Sequence, residues 1–336
     1  LSEVNIPSPA TTNQTSWTKA LDFSGGSEHA VQVSTSNAVT PLNMGGVSTT
    51  VAAPATGGNT SSDSNARPWA TAILFRSDGN ASNQHLWNLG EGSGSTDDNI
   101  YVRQAAGGNL YFGWGRDGAL NECLIGTGFN NTTKWWGLYI AHNGTRLSGN
   151  NATGPNLADC FDIRFMHYNN SAWEIITGNL GDSVGNRSTT NNWNAGSTGG
   201  RMDRAFTGSM AIGGRGSNRN WHGKVASMVV TTLERNVAMP TDAEIRLIIT
   251  DPQKWLQDYK IGQTFRPNTN SSSSSNFTAA NHYTHAQVWL MGDGTSDSYA
   301  NGIRNEIYPS DQNYTKLQLN NMVSNDIETI TINGLT

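Results

Sequence analysis

Charge is scarce in this chain. Only 14% of its 336 residues are Asp, Glu, Lys or Arg, against about 25% in an average soluble domain. Strong helix formers are correspondingly rare, which argues against a helix-rich fold. Lys and Arg nowhere cluster, and the net charge is −5 with a pI near 5.8. The electrostatic footprint of a nucleic-acid binder is therefore missing, and no nucleic-acid partner is expected. Hydrophobic residues make up 35%, and no apolar run approaches the roughly 18 residues that span a bilayer. No membrane partner is expected either. The opening residues, "LSEVNIPSPATTNQTSW", have neither the basic nor the apolar segment of a signal peptide. The expectation is a soluble chain, either mature after processing or delivered without secretion.

Cysteine is nearly absent too. Cys123 and Cys160 do not make a disulfide framework. A pair across neighbouring strands and two buried thiols both fit the sequence. Asn-x-Ser/Thr sequons are plentiful, as expected by chance in a chain so rich in Asn, Ser and Thr.

Asn, Ser, Thr and Gly take the place of charge. Gly and Asn supply positive φ in turns, and Thr tolerates an extended backbone. From Trp69 onward, short apolar alternating runs and turn residues succeed one another. "WATAILF", "HLWNLG", "IYVRQ", "LYFGWG", "WWGLYIA" and "CFDIRFMHY" read as strands, with "AAGGN" and "HNGT" as hairpin turns. "MAIGGRGSNRNWHGKVASMVV", Met210 to Val230, reads as two further strands joined by a Gly/Asn/Arg-rich loop into a hairpin. This spacing predicts an all-β antiparallel sandwich or barrel. Trp136, alternating with Leu138 and Ile140, is assigned to the core.

One helix is predicted in "MPTDAEIRLIITD". Thr241 and Glu244 form a capping box after Pro240, and Ile245, Ile248 and Ile249 share one face. Ile248 and Trp255 are expected to pack this segment onto the sheets. Residues 35–66 and 181–203 read as long loops.

The chain divides into an N-terminal arm (1–17), a sandwich (18–262), a Ser/Asn-rich linker (263–282) and a small β-rich tail (283–336). The tail is too polar and too short to hold a strong core alone. It is expected to pack on the sandwich or on a neighbouring subunit.

Three blocks, "KWWGLYIAHNGTRL", "FTGSMAIGG" and "WHGKVASMVVTTLERNVAMPTDAEI", occur in an order that resembles the concanavalin A-like lectin/glucanase superfamily, in its laminin-G-like branch. The resemblance spans roughly residues 18–262. It implies a jelly-roll β-sandwich with one short C-terminal helix and extended arms at both ends. Within the tail, "VWLMGDGTSDSY" and "TKLQLNNMVSNDI" look like segments that follow such domains in structural proteins of tailed phages, especially marine ones. Two departures stand out. Ala226-Ser227 occupy the place of an acidic pair that the family's closing strand often carries, and the loops at 35–66 and 181–203 exceed its compact pattern.

Catalytic signals are missing. The hydrolases of this superfamily carry Glu-x-Asp-x-x-Glu on one strand, which aims two carboxylates into one cleft, and no such run occurs. Asp162 is followed two residues on by Arg164, and Glu174 has no carboxylate partner on its face. There is no Gly-x-Ser-x-Gly elbow, phosphate loop or zinc-spaced Cys/His cluster. His282 and His285 lack a third ligand, and "GGRG" from Gly213 reads as a turn. The chain is expected not to be an enzyme.

Binding signals are weaker but present. Related lectin domains hold calcium at one rim, and Ca²⁺ needs six to eight oxygens. Asp97, Asp98 and Asn99 are the first candidates, with Asp78, Asn80 and Asp117 behind them. The competing reading is plain turn chemistry. For a glycan, an exposed aromatic face beside polar donors is required. Trp221, next to Arg215, Asn218, Arg219 and Asn220, has those surroundings, and Trp193 is the other candidate. The same loop suits an interface anchor, because Trp and Arg are enriched at hot spots.

The resemblance implies a virion structural protein of a tailed phage, displayed on capsid or tail as a decoration or fibre type. Its expected partners are further copies of itself (a homo-oligomer, a trimer among the options), other virion proteins and a host surface glycan. The alternative is a secreted bacterial carbohydrate-binding module or adhesin, and a glycoside hydrolase stands third.

Overall fold

The computed structural model describes residues 19–23, 29–32, 69–79, 83–90, 99–116, 119–142, 161–168, 173–177, 182–183, 209–214, 219–233, 240–252, 254–255, 283–290, 317–320 and 327–329. Within them the chain forms two antiparallel sheets and one α-helix. The all-β sandwich expected from the sequence is the observed fold.

Sheet A contains β1 (Lys19–Asp22), β3 (Trp69–Ser77), β8 (Trp136–His142), β9 (Phe161–Tyr168), β10 (Trp173–Thr177), β13 (Gly223–Leu233), β14 (Tyr283–Leu290) and β16 (Ile327–Thr329). Its order is β10-β9-β8-β3-β13-β1-β16, with β14 also paired to β13. Sheet B contains β2 (His29–Gln32), β4 (Gln84–Gly90), β5 (Asn99–Ala105), β6 (Asn109–Arg116), β7 (Ala119–Gly126), β11 (Asp182–Ser183), β12 (Ser209–Ile212) and β15 (Leu317–Asn320). Its order is β11-β7-β6-β5-β4-β12-β2-β15.

Strand alternation sends one residue in two into the space between the sheets. Trp69, Ile73 and Phe75 of β3 meet Leu138 and Ile140 of β8 and Ile163 and Phe165 of β9 there. From sheet B, Ile100, Val102, Phe112, Cys123 and Ile125 join the same buried cluster. Trp136 also belongs to it, as its alternation predicts.

On the other face of sheet A, α1 (Asp242–Thr250) packs on β3, β8 and β13. That explains why β3 is buried on both faces. The helix starts where the capping box places it, with Thr241 Oγ1 accepting from the Glu244 N–H at 3.3 Å. Ile245, Ile248, Ile249 and Trp255 are buried. Gly137 of β8 permits the close approach, since a Cβ there would lie 2.6 Å from Ile249 Cγ2.

β13 organises sheet A. β3 pairs along one edge of it from Gly223 to Thr232. Its other edge is shared between β1, at Lys224 and Val225, and β14, from Ser227 to Leu233. A bulge at Ala226 separates the two stretches. Ala226 and Ser227, at that bulge, are both buried.

The stretch Met210–Val230 is not a hairpin. β12 pairs with β4 and β2 in sheet B, whereas β13 lies in sheet A, so the connection crosses between sheets. The alternating patterns were the same for either arrangement, and only the crossing puts Trp221 inside. The tail contributes β14 to β13, β15 to β2 and β16 to β1. Each of its strands lies against the sandwich.

Candidate functional site

The outer face of sheet B carries an unusual set of side chains. On β5, Ile100 and Val102 point inward, so Tyr101 and Arg103 point outward. The hairpin to β6 turns at Gly107 and Gly108, with φ of 78° and 74°. It sets Arg103 opposite Tyr111 and Tyr101 opposite Gly113. Glu122 of β7 stands opposite Gly113. On the far side, His85 pairs with Arg103 and Asn88 with Tyr101.

These residues bond to one another. Glu122 Oε1 accepts from Tyr101 Oη at 2.6 Å and from Arg103 Nε at 2.5 Å, and Oε2 accepts from Arg103 Nη2 at 2.7 Å. The guanidinium lies 4.6 Å from the Tyr111 ring centroid. His85 stacks on Tyr101 with centroids 4.7 Å apart. Gly113 makes room for this arrangement, because a Cβ there would lie 2.2 Å from Tyr101 Cζ. Burial opposes the charge of Arg103, but its hydrogen bonds to Glu122 and that carboxylate's charge outweigh it. The guanidinium is held above its usual pKa.

The Arg103 and Glu122 side chains are 12% and 7% exposed. An ion pair so desolvated contributes little net stability against apolar replacements. Its value lies in rigidity, since three hydrogen bonds fix both charged groups and the ring beside them. Chemically, the face offers a half-buried aromatic ring at Tyr111 and the guanidinium N–H groups that Glu122 leaves unused. Glu122 itself is tied to Arg103 and Tyr101.

Several sequence candidates land elsewhere. Trp221 is fully buried. Its ring meets Phe75 edge-on at 5.9 Å, and its backbone N–H donates to the Gly213 carbonyl at 2.8 Å. It plugs the end of the sandwich where the chain crosses between sheets, so it presents no face to a ligand or partner. Arg219 is exposed and Asn220 half-buried. Arg219 has a φ of 57°, and its carbonyl accepts from the His85 N–H at 2.8 Å. Arg215 and Trp193 lie outside the described residues, as do Asp97, Asp98, Asn80, Asp117, Cys160 and His282. Asn99 opens β5, paired with Gly90 and Gly115.

Asp78, the second-rank calcium candidate, lies 3.5 Å from Arg76 Nη2 and 3.7 Å from Lys224 Nζ. Lys224 is buried and also pairs with Asp22. Cations of the chain already neutralise these carboxylates. Among the described residues no group of three His, Cys, Asp or Glu side chains could hold a metal.

Asp162 is bonded to Arg164 Nε at 2.6 Å, and Glu174 lies 3.6 Å from His167. Cys123 is a buried free thiol, its pKa pushed far up by burial and then by the neighbouring Glu122.

Sequence reading missed Tyr101, Arg103, Tyr111 and Glu122. The available signal was the polar or aromatic residue at every second position of "IYVRQ" and "LYFGWG", aligned by the turn between them.

No protein-family model matches the chain, and no curated protein sequence matches it. Solved structures do. A putative carbohydrate binding protein from Bacteroides ovatus is 11% identical over 94% of this chain and 60% of its own, with a TM-score of 0.37. The LG1–3 region of the laminin α2 chain is 11% identical over 63% and 31%, with a TM-score of 0.35. The sialidase module CBM40 of Ruminococcus gnavus, bound to α2,3-sialyllactose, is 12% identical over 53% and 80%, with a TM-score of 0.30. Tailspike protein 2 of the Escherichia coli O157:H7 bacteriophage CAB120 is 14% identical over 49% and 20%, also at 0.30. The chain's structural neighbours thus include carbohydrate-binding modules and laminin G domains.

Proposed function

We propose that this chain is a non-catalytic β-sandwich that contacts glycans through the outer face of sheet B, outside the cell or on a particle surface. The observation that carries this reading is the Tyr101–Arg103–Glu122 network with Arg103 stacked on Tyr111. A sugar presents C–H faces and hydroxyls, and it is matched by a ring beside fixed donors. Preorganisation matters because each side chain already held in place removes an ordering cost on binding. A hydrolytic role draws no support from this face. Glycosidases need two carboxyl groups about 5–5.5 Å or 6.5–9.5 Å apart, one of them able to give up a proton.

The test is a broad glycan array probed with the full chain, followed by calorimetry on the best ligand. Tyr111→Ala is expected to weaken that ligand about tenfold or more, as loss of a stacked ring does. A chain that retains nothing on the array sinks the reading, and so does a Tyr111→Ala variant that binds like the parent.

The second reading is a structural component of a tailed-phage virion, of decoration or fibre type. One observation favours it: β14, β15 and β16 are laid singly along β13, β2 and β1. An arm that orders only against a sandwich edge is suited to assembly surfaces. Light scattering with and without calcium tests it. A multimer that yields its tail to protease only after dissociation supports the virion role, and a stable monomer under both conditions removes it.

A further inference from the structure

The outer face of sheet B is closed at one end and half open at the other. Asn88, Tyr101, Gly113 and Glu122 stand in one register row across β4 to β7, and all four are buried. Two residues along the strands, toward the β5–β6 hairpin, the row is Arg103, Tyr111 and Leu124, and here Tyr111 and Leu124 are half-buried. Next to it Ala105 and Asn109 face each other, also half-buried, and the turn at Ala106 and Gly107 is exposed. Asn109 precedes Tyr111 by two residues, so both side chains leave the same face of β6.

The half-open part is a ledge with a closed back. From β5 to β7 it is about 10 Å wide, and from Asn109 to Tyr111 about 7 Å deep, the footprint of one sugar ring and part of a second. Two of its sides are shut. Toward Gly113 the row is buried, and toward β4 His85, opposite Arg103, is 1% exposed. The other two sides, over the hairpin and past Leu124, meet at a corner. A glycan passing through would have to turn that corner within about one ring, whereas a chain end only has to enter. Tyr111 and Leu124 give an apolar floor for the C–H groups of a sugar. The Asn109 amide offers both donors and an acceptor, which matches a hydroxyl that gives and takes a hydrogen bond.

We propose that this ledge holds the terminal unit of a glycan, and that Asn109 selects which terminal sugar fits. This inference rests on the glycan-contact reading and adds the part of the ligand recognised and a specificity-determining residue. The terminal ring lies on Tyr111 and Leu124, and one of its hydroxyls bonds the Asn109 amide. An epimer with that hydroxyl turned the other way leaves the amide without its partner, a loss of about tenfold in affinity.

The experiment puts the full chain on a glycan array and competes it with the methyl glycosides of glucose, galactose, mannose, N-acetylglucosamine, N-acetylgalactosamine, fucose and sialic acid. One methyl glycoside is expected to displace the chain from glycans that end in that sugar. Trimming that outermost sugar with the matching exoglycosidase should lower retention about tenfold or more. Asn109→Ala is expected to weaken the effective methyl glycoside about tenfold and bring it level with its epimers. Its urea midpoint should match the parent's, because the side chain is half-buried at the surface, and that shows the variant is folded. The inference falls if every methyl glycoside fails where longer fragments compete, or if trimmed glycans are held as well as intact ones. It falls equally if Asn109→Ala keeps the parent's ranking of sugars. In each of these cases retention that is lost in Tyr111→Ala leaves the contact reading standing. An array that retains nothing removes both.

Discussion

Gly113 has no side chain, and the ring of Tyr101 takes the space. A methyl group there would meet Tyr101 Cζ at 2.2 Å, so the ring must leave and its bond to Glu122 breaks. Gly113→Ala is therefore expected to destabilise the fold by about 1–3 kcal/mol, the usual effect of overpacking. A lower urea midpoint with an unchanged m-value would show it. An unchanged midpoint would mean that the Tyr101–Glu122 network is not rigid. His167 gives a second residue-scale test. It stacks on Trp136 at 5.0 Å. Burial lowers its pKa first, the Lys134 ammonium lowers it further, and Glu174 at 3.6 Å only partly compensates. Because the folded value lies below the unfolded one, near 6.5, the unfolded chain binds the extra proton. Stability from this group is complete above about pH 6.5 and falls as the pH drops through the folded value. His167→Gln should flatten that part of the stability–pH curve. If the curve keeps its slope, another group is responsible.

Elements differ in how much of them the sequence disclosed. The helix was legible because its signals are local: Thr241 caps, Glu244 sits three residues on, and the isoleucines share a face. The strands of β3, β8 and β9 were legible for a similar reason, since Phe161, Ile163 and Phe165 alternate within a few residues. Two things were not local. Whether β12 and β13 share a sheet depends on where the connection runs, and the same alternation serves a hairpin or a crossing. The outer face of sheet B depends on the register of β4 through β7, which bulges reset at Leu86 and Ile125, and no periodicity announces a bulge. The crossing carries its own prediction. Trp221 fills the end of the core beside Phe75, so Trp221→Ala is expected to cost about 3–5 kcal/mol by leaving a cavity. Any loss of glycan binding should follow the loss of folded protein. A Trp221→Ala variant with the parent's midpoint but no binding would restore this residue to the ligand site.

For the molecule as a whole, the question is whether the tail belongs to the sandwich or is only applied to it. β13 is held along one edge by β3 and along the other by β1 and then β14. Its C-terminal half thus owes one of its two neighbours to a strand that arrives through a Ser/Asn-rich stretch. Strands added at the margin of a sheet by a separate segment often open more readily than strands buried on both faces. Native-state hydrogen exchange should therefore separate two classes. Amides of β3 and β8, between the core and α1, are expected to exchange only on global unfolding. Those of β14, β15 and β16 should exchange together at a smaller free energy, with pH and temperature held constant. Removing residues 283–336 should then leave the sandwich folded but with bare edges on β1, β2 and β13, which template pairing with another chain. Association that grows with concentration in the shortened chain, and not in the full one, is the expected result. If instead the tail strands share the slowest exchange class and the shortened chain unfolds outright, the tail is part of the core's cooperative unit. The assembly reading would then lose the detachable arm on which it depends.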